Sequence, residues 1–396
     1  MSDRRSRRLG WAAAVVAVAA VVLLAYWSFP EREENTEAGF GPAVALLSRG
    51  DDDTESYARV FGPREFSFPA DHGPHNDYKA EWWYFTGNLD DSDGRRFGYE
   101  LTFFRFAMRS RPVPSGSAWR SHQLYMAHFA LTDVENDRFR SFERFSRAAL
   151  GLAGARADRL HVWLYDWSAS AIGSAAFPLT LHAAADGIAI DFTLNSGKPM
   201  VLHGQAGFSR KSKEAGQASY YYSFTRLPTA GTIRIDGRAY QVRGNSWMDR
   251  EWSTSALSKE QAGWDWFALQ LSDGRDLMFY RLRRKDGTVD PYSAGTLVNA
   301  DGTALPLRHD AVLIRERREW RSPRTGALYP VEWLLSLPEY GIELVVKPLM
   351  SDQELDVAFK YWEGAVRVRG TSKGEPVSGR GYAELTGYVR STDEGD

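Results

Sequence analysis

The chain has 396 residues, of which 43% are hydrophobic and 25% are charged, and its formal net charge is −2. This composition is that of a globular protein with room for one large or two medium domains. A net charge so close to zero offers no basic field for a phosphate backbone, which excludes nucleic acid as the expected partner. Cysteine is absent, and this removes disulfides, thiolate nucleophiles and cysteine-ligated zinc.

Residues 1–30 have the pattern of a membrane anchor. Four arginines between positions 4 and 8 precede an uncharged run over residues 11–29. At about 1.5 Å of rise per residue, a helix of this length nearly matches a hydrocarbon core of about 30 Å. The arginines favour a cytoplasmic start, which predicts a single-pass inner-membrane protein with its bulk in the periplasm. Because residues 26–29 lack a small-residue cleavage site, an uncleaved anchor is expected over a signal peptide.

Residues 31–56 mix acids, Gly and Ser and are interpreted as a linker. Beyond residue 57 the pattern is typical of an all-β chain. Asp-Gly pairs, which supply the positive φ angles of hairpin turns, recur between alternating apolar runs such as residues 188–194. These features predict a series of antiparallel strands.

The chain also repeats itself. Residues 82–95, with WWYFTGNL and SDGR, match residues 264–275, with WDWFALQL and SDGR. Each half closes with a hairpin that ends in an aromatic-x-acid triplet, WMD before residue 250 and YAE before residue 385. The duplication predicts two β-domains, residues 57–254 and 255–391, each of a size that suits a sandwich or a small closed barrel.

Three aromatic-rich motifs occur in order: HNDYKAEWWYFTG at residues 75–87, WMDREW at 247–252 and YWEGAV at 361–366. They resemble the motifs of the lipocalin-like family that groups carotenoid 1,2-hydratases (hydroxyneurosporene synthases) with AttH-type proteins associated with ABC transporters. The resemblance implies two tandem lipocalin-like antiparallel β-barrels, here preceded by one N-terminal transmembrane helix. Its functional implication is open, because the family holds both enzymes and proteins of unknown activity.

A carotenoid hydratase protonates an unactivated alkene, which requires a carboxylic acid of raised pKa in an apolar, aromatic-walled cavity. Glu81 and Asp249, which lie in the matching motifs, are the candidate proton donors. The alternative is that these acids pair with arginines at an interface between the barrels. Two departures weigh against hydratase activity: Arg250 stands where hydratase-like members carry His, and Leu282 stands where an acid is expected. A guanidinium does not deprotonate in proteins, so Arg250 is no proton shuttle.

The 14 Trp, 18 Tyr and 21 Phe residues predict either an apolar ligand cavity inside the barrels or solid barrels that pack on each other. The histidines show no metal-binding spacing, so no metal and no other cofactor is expected. The candidate ligand-binding residues come from the motifs and the repeat: His75, Trp82, Trp83, Tyr84, Arg250, Glu251, Trp252, Trp264, Trp266, Tyr382 and Glu384.

Three functional hypotheses result. The first is a membrane-anchored periplasmic protein that binds an apolar lipid, terpenoid or carotenoid and is associated with an ABC transporter permease. The second is a carotenoid 1,2-hydratase-like enzyme that adds water to a C=C bond. The third is a structural partner of a permease that binds no ligand.

Overall fold

The structure, a computed structural model, describes residues 56–110, 121–254 and 257–389. The predicted anchor and nearly all of the predicted linker lie outside these residues. Within them, no helix has the length and apolarity needed to cross a membrane. Their regular structure is β-strand apart from short 3-10 helices such as Ala70–His72 and Pro338–Tyr340. The all-β prediction is therefore confirmed.

The first sheet curls into a near-barrel of antiparallel strands. In space the order is β4-β3-β2-β1-β13-β12-β9-β8-β7-β6-β5, with β10 and β11 paired to β12. The strands are β1 (Ala80–Asp91), β2 (Arg96–Ala107), β3 (Gln123–Asp133), β4 (Arg138–Arg147), β5 (Ala153–Ala155), β6 (His161–Leu164), β7 (Trp167–Ala171), β8 (Leu179–Ala185), β9 (Ile188–Leu194), β10 (Val201–Leu202), β11 (Phe208–Arg210), β12 (Ala218–Ile235) and β13 (Arg238–Ser253).

The ends of this sheet meet through side chains. In the described part of the chain its terminal strands, β4 and β5, are not paired with each other. Instead, Tyr165 Oη donates to Phe145 O at 3.2 Å, and the Arg144 guanidinium lies 4.2 Å from the centre of the Trp167 ring. Hydrogen-bonded strands lie about 4.8 Å apart, and these long side chains reach further than that distance. The sequence suggested a closed barrel, and the structure shows a sheet closed by packing.

The second sheet is a half-barrel. Its order is β17-β16-β15-β14-β23-β22-β20-β19-β18, with β21 paired to β22. The strands are β14 (Gln261–Leu271), β15 (Asp276–Arg284), β16 (Ala294–Val298), β17 (Ala304–Arg308), β18 (Leu313–Arg321), β19 (Leu328–Leu337), β20 (Ile342–Pro348), β21 (Glu354–Leu355), β22 (Tyr361–Ser372) and β23 (Glu375–Leu385).

The internal repeat reappears in the strand register. Tyr84 on β1 lies opposite Asp249 on β13, and Trp266 on β14 lies opposite Glu384 on β23. These two pairs occupy the positions that the sequence repeat aligns. The duplicated sequence thus gives duplicated strand pairs, one in each sheet.

Each sheet buries one face in its own apolar core. Trp83 and Trp252 are completely buried in the first core, as Trp333 is in the second. Successive side chains along a strand point to opposite faces. Neighbouring positions such as Tyr84 therefore point the other way and join Trp266 in a third cluster between the sheets.

Candidate functional site

A cavity of about 170 Å³ lies between the two sheets. It is formed by their outer faces. The sequence left two alternatives, a ligand cavity inside the barrels or solid barrels packed on each other, and this cavity lies in neither barrel interior. An engineered apolar cavity of about 150 Å³ holds benzene, so this one has room for a single ring or one isoprenoid unit. Much of its wall is apolar or aromatic: Trp82, Phe104, Phe106, Leu257, Trp264, Trp266, Leu282 and Phe359.

The structure brings many of the candidate residues together at this cavity. They occupy alternate positions on β1, β13, β14 and β23, on the faces that the two cores leave exposed to each other. The candidates that line the cavity are Trp82, Tyr84, Asp249, Glu251, Trp264, Trp266 and Glu384.

The remaining candidates lie elsewhere. Tyr382 borders a smaller neighbouring cavity. Trp83 points into the first core and donates its indole N–H to His72 O at 2.8 Å. The His75 ring stacks on Trp252 with the ring centres 3.8 Å apart. None of these four side chains lines the larger cavity between the sheets.

Glu81 is completely buried on the interior face of β1. Arg105 and Arg250 both donate hydrogen bonds to its carboxylate, and His75 Nδ1 lies 3.2 Å from it. Burial alone would raise the pKa of Glu81, but the two guanidinium groups hold it below its usual range. Glu81 is therefore a structural anion, which does not suit the proton-donor role suggested by sequence, and Arg250 is its counter-ion.

Asp249 is buried on the opposite face, with 3% of its surface exposed. It accepts hydrogen bonds from uncharged donors: Tyr221 Oη at 2.6 Å, Trp247 Nε1 at 2.6 Å and Ser223 Oγ. Burial raises the pKa of Asp249 to about 7, although the three donors act in the other direction. A carboxyl with this pKa exchanges a proton readily at neutral pH.

The second sheet contributes Glu384 and Glu363, which face each other across β22 and β23. Trp264 Nε1 donates to Glu384 Oε1 at 3.2 Å, and Tyr84 Oη, from the first sheet, donates to Glu363. Burial raises the pKa of Glu384 to about 8 and raises the pKa of Glu363 well above its usual value, with Glu100 adding to both shifts. Buried carboxyls this close do not all ionise at neutral pH.

One charged pair also borders the cavity. Lys211 Nζ lies 3.1 Å from Glu251 Oε1 and 3.9 Å from the centre of the Tyr280 ring. Burial would lower the pKa of Lys211, but the Glu251 carboxylate raises it above its usual value. The lysine is therefore protonated.

Sequence reasoning missed Glu363, Tyr221 and Lys211. Glu363 lies in the YWEGAV motif, two positions after Tyr361, and strand alternation places both on the cavity face. Tyr221 and Lys211 lie outside every motif, and their positions depend on long-range packing. Across residues 56–110, 121–254 and 257–389, no three His, Asp or Glu side chains are grouped as a metal site requires.

Residues 59–388 match the family model described as AttH-like. The chain belongs to the AttH-like family. This confirms the resemblance that the three motifs predicted. A protein from Nitrosomonas europaea assigned as AttH, with a crystal structure at 2.00 Å resolution, is 38% identical. The match covers 84% of this chain and 100% of that one, with a TM-score of 0.76.

Two kievitone hydratases are also similar. The crystal structure of the enzyme from Nectria haematococca matches with a TM-score of 0.64 at 15% identity, covering 85% of this chain and 97% of that one, and shows a shared fold. Kievitone hydratase from Fusarium solani subsp. phaseoli is 21% identical over 214 residues, 52% of this chain. The chain spans 58% of the length of that curated relative.

Proposed function

We propose that this protein is a hydratase-type enzyme that protonates a C=C bond of an apolar ligand held between the two sheets. The observation that carries the proposal is a pair of buried acids, Asp249 and Glu384, with pKa values of about 7 and about 8, on a largely aromatic cavity. Carboxyls in this range serve as general acids at neutral pH. The similarity to kievitone hydratase in sequence supports the same class of reaction.

Asp249 is the better proton donor because its surroundings stabilise the carboxylate left after transfer. Ser223 and Trp247 both donate to Oδ1, whereas only Tyr221 donates to Oδ2. We therefore place the transferable proton on Oδ2, which keeps a free lone pair. The alkene takes this proton, and its π electrons form the new C–H bond, which leaves a carbocation at the adjacent carbon. Tyr84 and Trp266, whose ring centres are 5.1 Å apart, offer aromatic faces that stabilise a cation.

Water then adds to the carbocation and returns one proton to the Asp249 carboxylate, which restores the acid. Glu384 stays protonated in this scheme and offers its carboxyl as a hydrogen-bond partner for the water. Leu282, at the β15 position where the resemblance led us to expect an acid, lies on the cavity wall. In this scheme the second acid is Glu384, on β23.

The test is turnover in heavy-oxygen water. The full chain is incubated with kievitone and with a set of isoprenoid alkenes, and the products are analysed by mass spectrometry. We expect one labelled oxygen in the product of the wild type and of Glu343→Gln, in which an exposed acid on β20 is replaced. Asp249→Asn should form the labelled product at least about 100-fold more slowly. Label uptake by Asp249→Asn equal to wild type, or no uptake by the wild type from any alkene, would contradict the proposal.

A second candidate is a lipid or isoprenoid carrier, whose ligand-binding role the mainly apolar cavity supports. Its place at the inner membrane, with its bulk in the periplasm and an ABC permease as partner, is proposed from the sequence alone. Mass spectrometry of organic extracts separates the two candidates. A stoichiometric lipid that co-purifies with the full chain and remains unaltered would favour the carrier. Hydrated product would favour the enzyme.

A further inference from the structure

A chain of hydrogen bonds leads from the second sheet to the carboxyl of Asp249. Thr296 Oγ1, on β16, lies 2.9 Å from His203 Nδ1, and His203 Nε2 lies 2.6 Å from Ser223 Oγ. Ser223 Oγ in turn donates to Asp249 Oδ1. All four residues are at most 3% exposed, so water does not readily replace a lost partner.

The direction of each hydrogen bond follows from the carboxylate end. Because the proton of Asp249 lies on Oδ2, Oδ1 accepts in both protonation states, so the single Ser223 hydroxyl hydrogen points to Asp249 Oδ1. Ser223 Oγ must therefore accept from His203 Nε2, which places the imidazole hydrogen on Nε2. His203 Nδ1 is then an acceptor, and Thr296 donates to it. Burial, with the charge of Lys211, lowers the pKa of His203 to about 3, so the ring is neutral and has one hydrogen to place.

Thr296, His203 and Ser223 do not line the cavity. We propose that His203 is a positioning residue: it holds the Ser223 hydroxyl on Asp249, and Thr296 of the second sheet fixes the histidine tautomer that this requires. The inference rests on the proposed role of Asp249 as the proton donor. It makes the acid strength of Asp249 depend on the packing of one sheet against the other.

Other groups also act on Asp249 and must stay unchanged in a test. Glu251 raises its pKa through charge, Glu384 faces it from β23, and Tyr221 donates to it. Lys211 acts on His203. Thr296→Val keeps the shape of the side chain and removes only the hydroxyl, so these groups keep their positions.

The experiment uses the full chain labelled with ¹⁵N-histidine and with ¹³C at the Asp carboxyls. In the wild type we expect His203 to show the Nε2–H tautomer alone between about pH 5 and pH 8. In Thr296→Val both His203 tautomers should be populated. The pKa of Asp249 should rise by about one unit, because Ser223 then donates to it in only a fraction of the molecules. Thr296→Ser, which keeps the hydroxyl, should restore both values.

Ser223→Ala removes the last donor directly and provides a second variant in case Thr296→Val does not fold. It should raise the pKa of Asp249 at least as much. An Nδ1–H tautomer in the wild type, or an unchanged Asp249 pKa in Thr296→Val or Ser223→Ala, would overturn the inference. Both readouts use the resting protein, so they hold even where no alkene is hydrated, and a failure of the hydratase proposal is recognised separately in the labelled-water test.

Discussion

Two buried carboxyl groups lie on opposite faces of the β1–β13 strand pair. Glu81 faces the core of the first sheet, and Asp249 faces the cavity between the sheets. Burial acts to raise the pKa of both. The partners differ: guanidinium groups surround Glu81, whereas hydroxyl and indole donors surround Asp249. Partner charge, and not burial, thus decides whether a buried acid serves as a fixed ion or as a source of protons.

The largest expected effect is on protein stability, when Glu81 between its two arginines is changed. Glu81→Gln leaves Arg105 and Arg250 buried without their anion, and we expect the free energy of unfolding to fall by about 3–5 kcal/mol. Urea denaturation at neutral pH measures it. The exposed control Glu343→Gln should stay within about 0.5 kcal/mol of wild type. A Glu81→Gln protein as stable as this control would remove the contrast between the two sites.

At Asp249, whose hydrogen-bond donors are uncharged, the large effect should be on the rate of alkene hydration. Asp249→Asn keeps the shape of the side chain but cannot give up a proton, so we expect kcat for alkene hydration to fall about 100- to 1,000-fold. Circular dichroism checks that the variant is folded. Under conditions in which it is folded, Glu81→Gln should retain turnover. The reverse pattern, in which only Glu81→Gln abolishes turnover, would contradict the proposal and place the chemistry on the core face of the first sheet.

The two sites should also give opposite pH dependence of stability. The pKa of Asp249 rises from 3.8 to about 7 on folding, so its contribution is greatest below about pH 4 and declines as pH rises to about 7. The lowered pKa of Glu81 gives a contribution present above about pH 4.5 that is lost as pH falls. We expect maximal stability at mildly acidic pH, and Asp249→Asn should reduce the decline towards pH 8 by about 1–3 kcal/mol. Equal pH profiles for wild type and Asp249→Asn would contradict the raised pKa.

The smallest effect concerns the aromatic wall. Trp82 is half-buried and lines the cavity, so Trp82→Leu should weaken binding of an apolar ligand about 3- to 10-fold through the loss of ring contacts. Calorimetric titration with kievitone measures the change in Kd. Trp320→Leu, on β18 away from the cavity, is the matched control. Equal affinities of the two variants would place the ligand elsewhere.

Local signals explain what the sequence could predict. Asp-Gly turns, period-2 runs and ordered motifs are read within a few residues of each other, and they gave the all-β class, the repeat and the family. They could not decide which of two neighbours, Glu81 or Trp82, faces the cavity, because that depends on which side of the sheet meets the other sheet. The partner of Glu81 shows the same problem, since Arg250 lies 169 positions away.

The location of the cavity could not be predicted from the sequence for a related reason. The sequence indicated many aromatics, but their division between two filled cores and one interface follows from how the sheets pack. Glu363 could have been found by extending strand alternation through the YWEGAV motif, whereas Lys211 gave no signal. The membrane anchor, the periplasmic location and the ABC partner stay predictions.

The proton donor in the cavity is tested most directly by a ¹³C NMR titration of the Asp and Glu carboxyls in the folded protein, with Asp249→Asn and Glu384→Gln used to assign the signals. We expect two cavity carboxyls to be half-protonated near pH 7 and pH 8, while Glu81 stays ionised over the same pH range. An Asp249 that titrates near its ordinary value of 3.8 would contradict the claim that this cavity holds a proton donor.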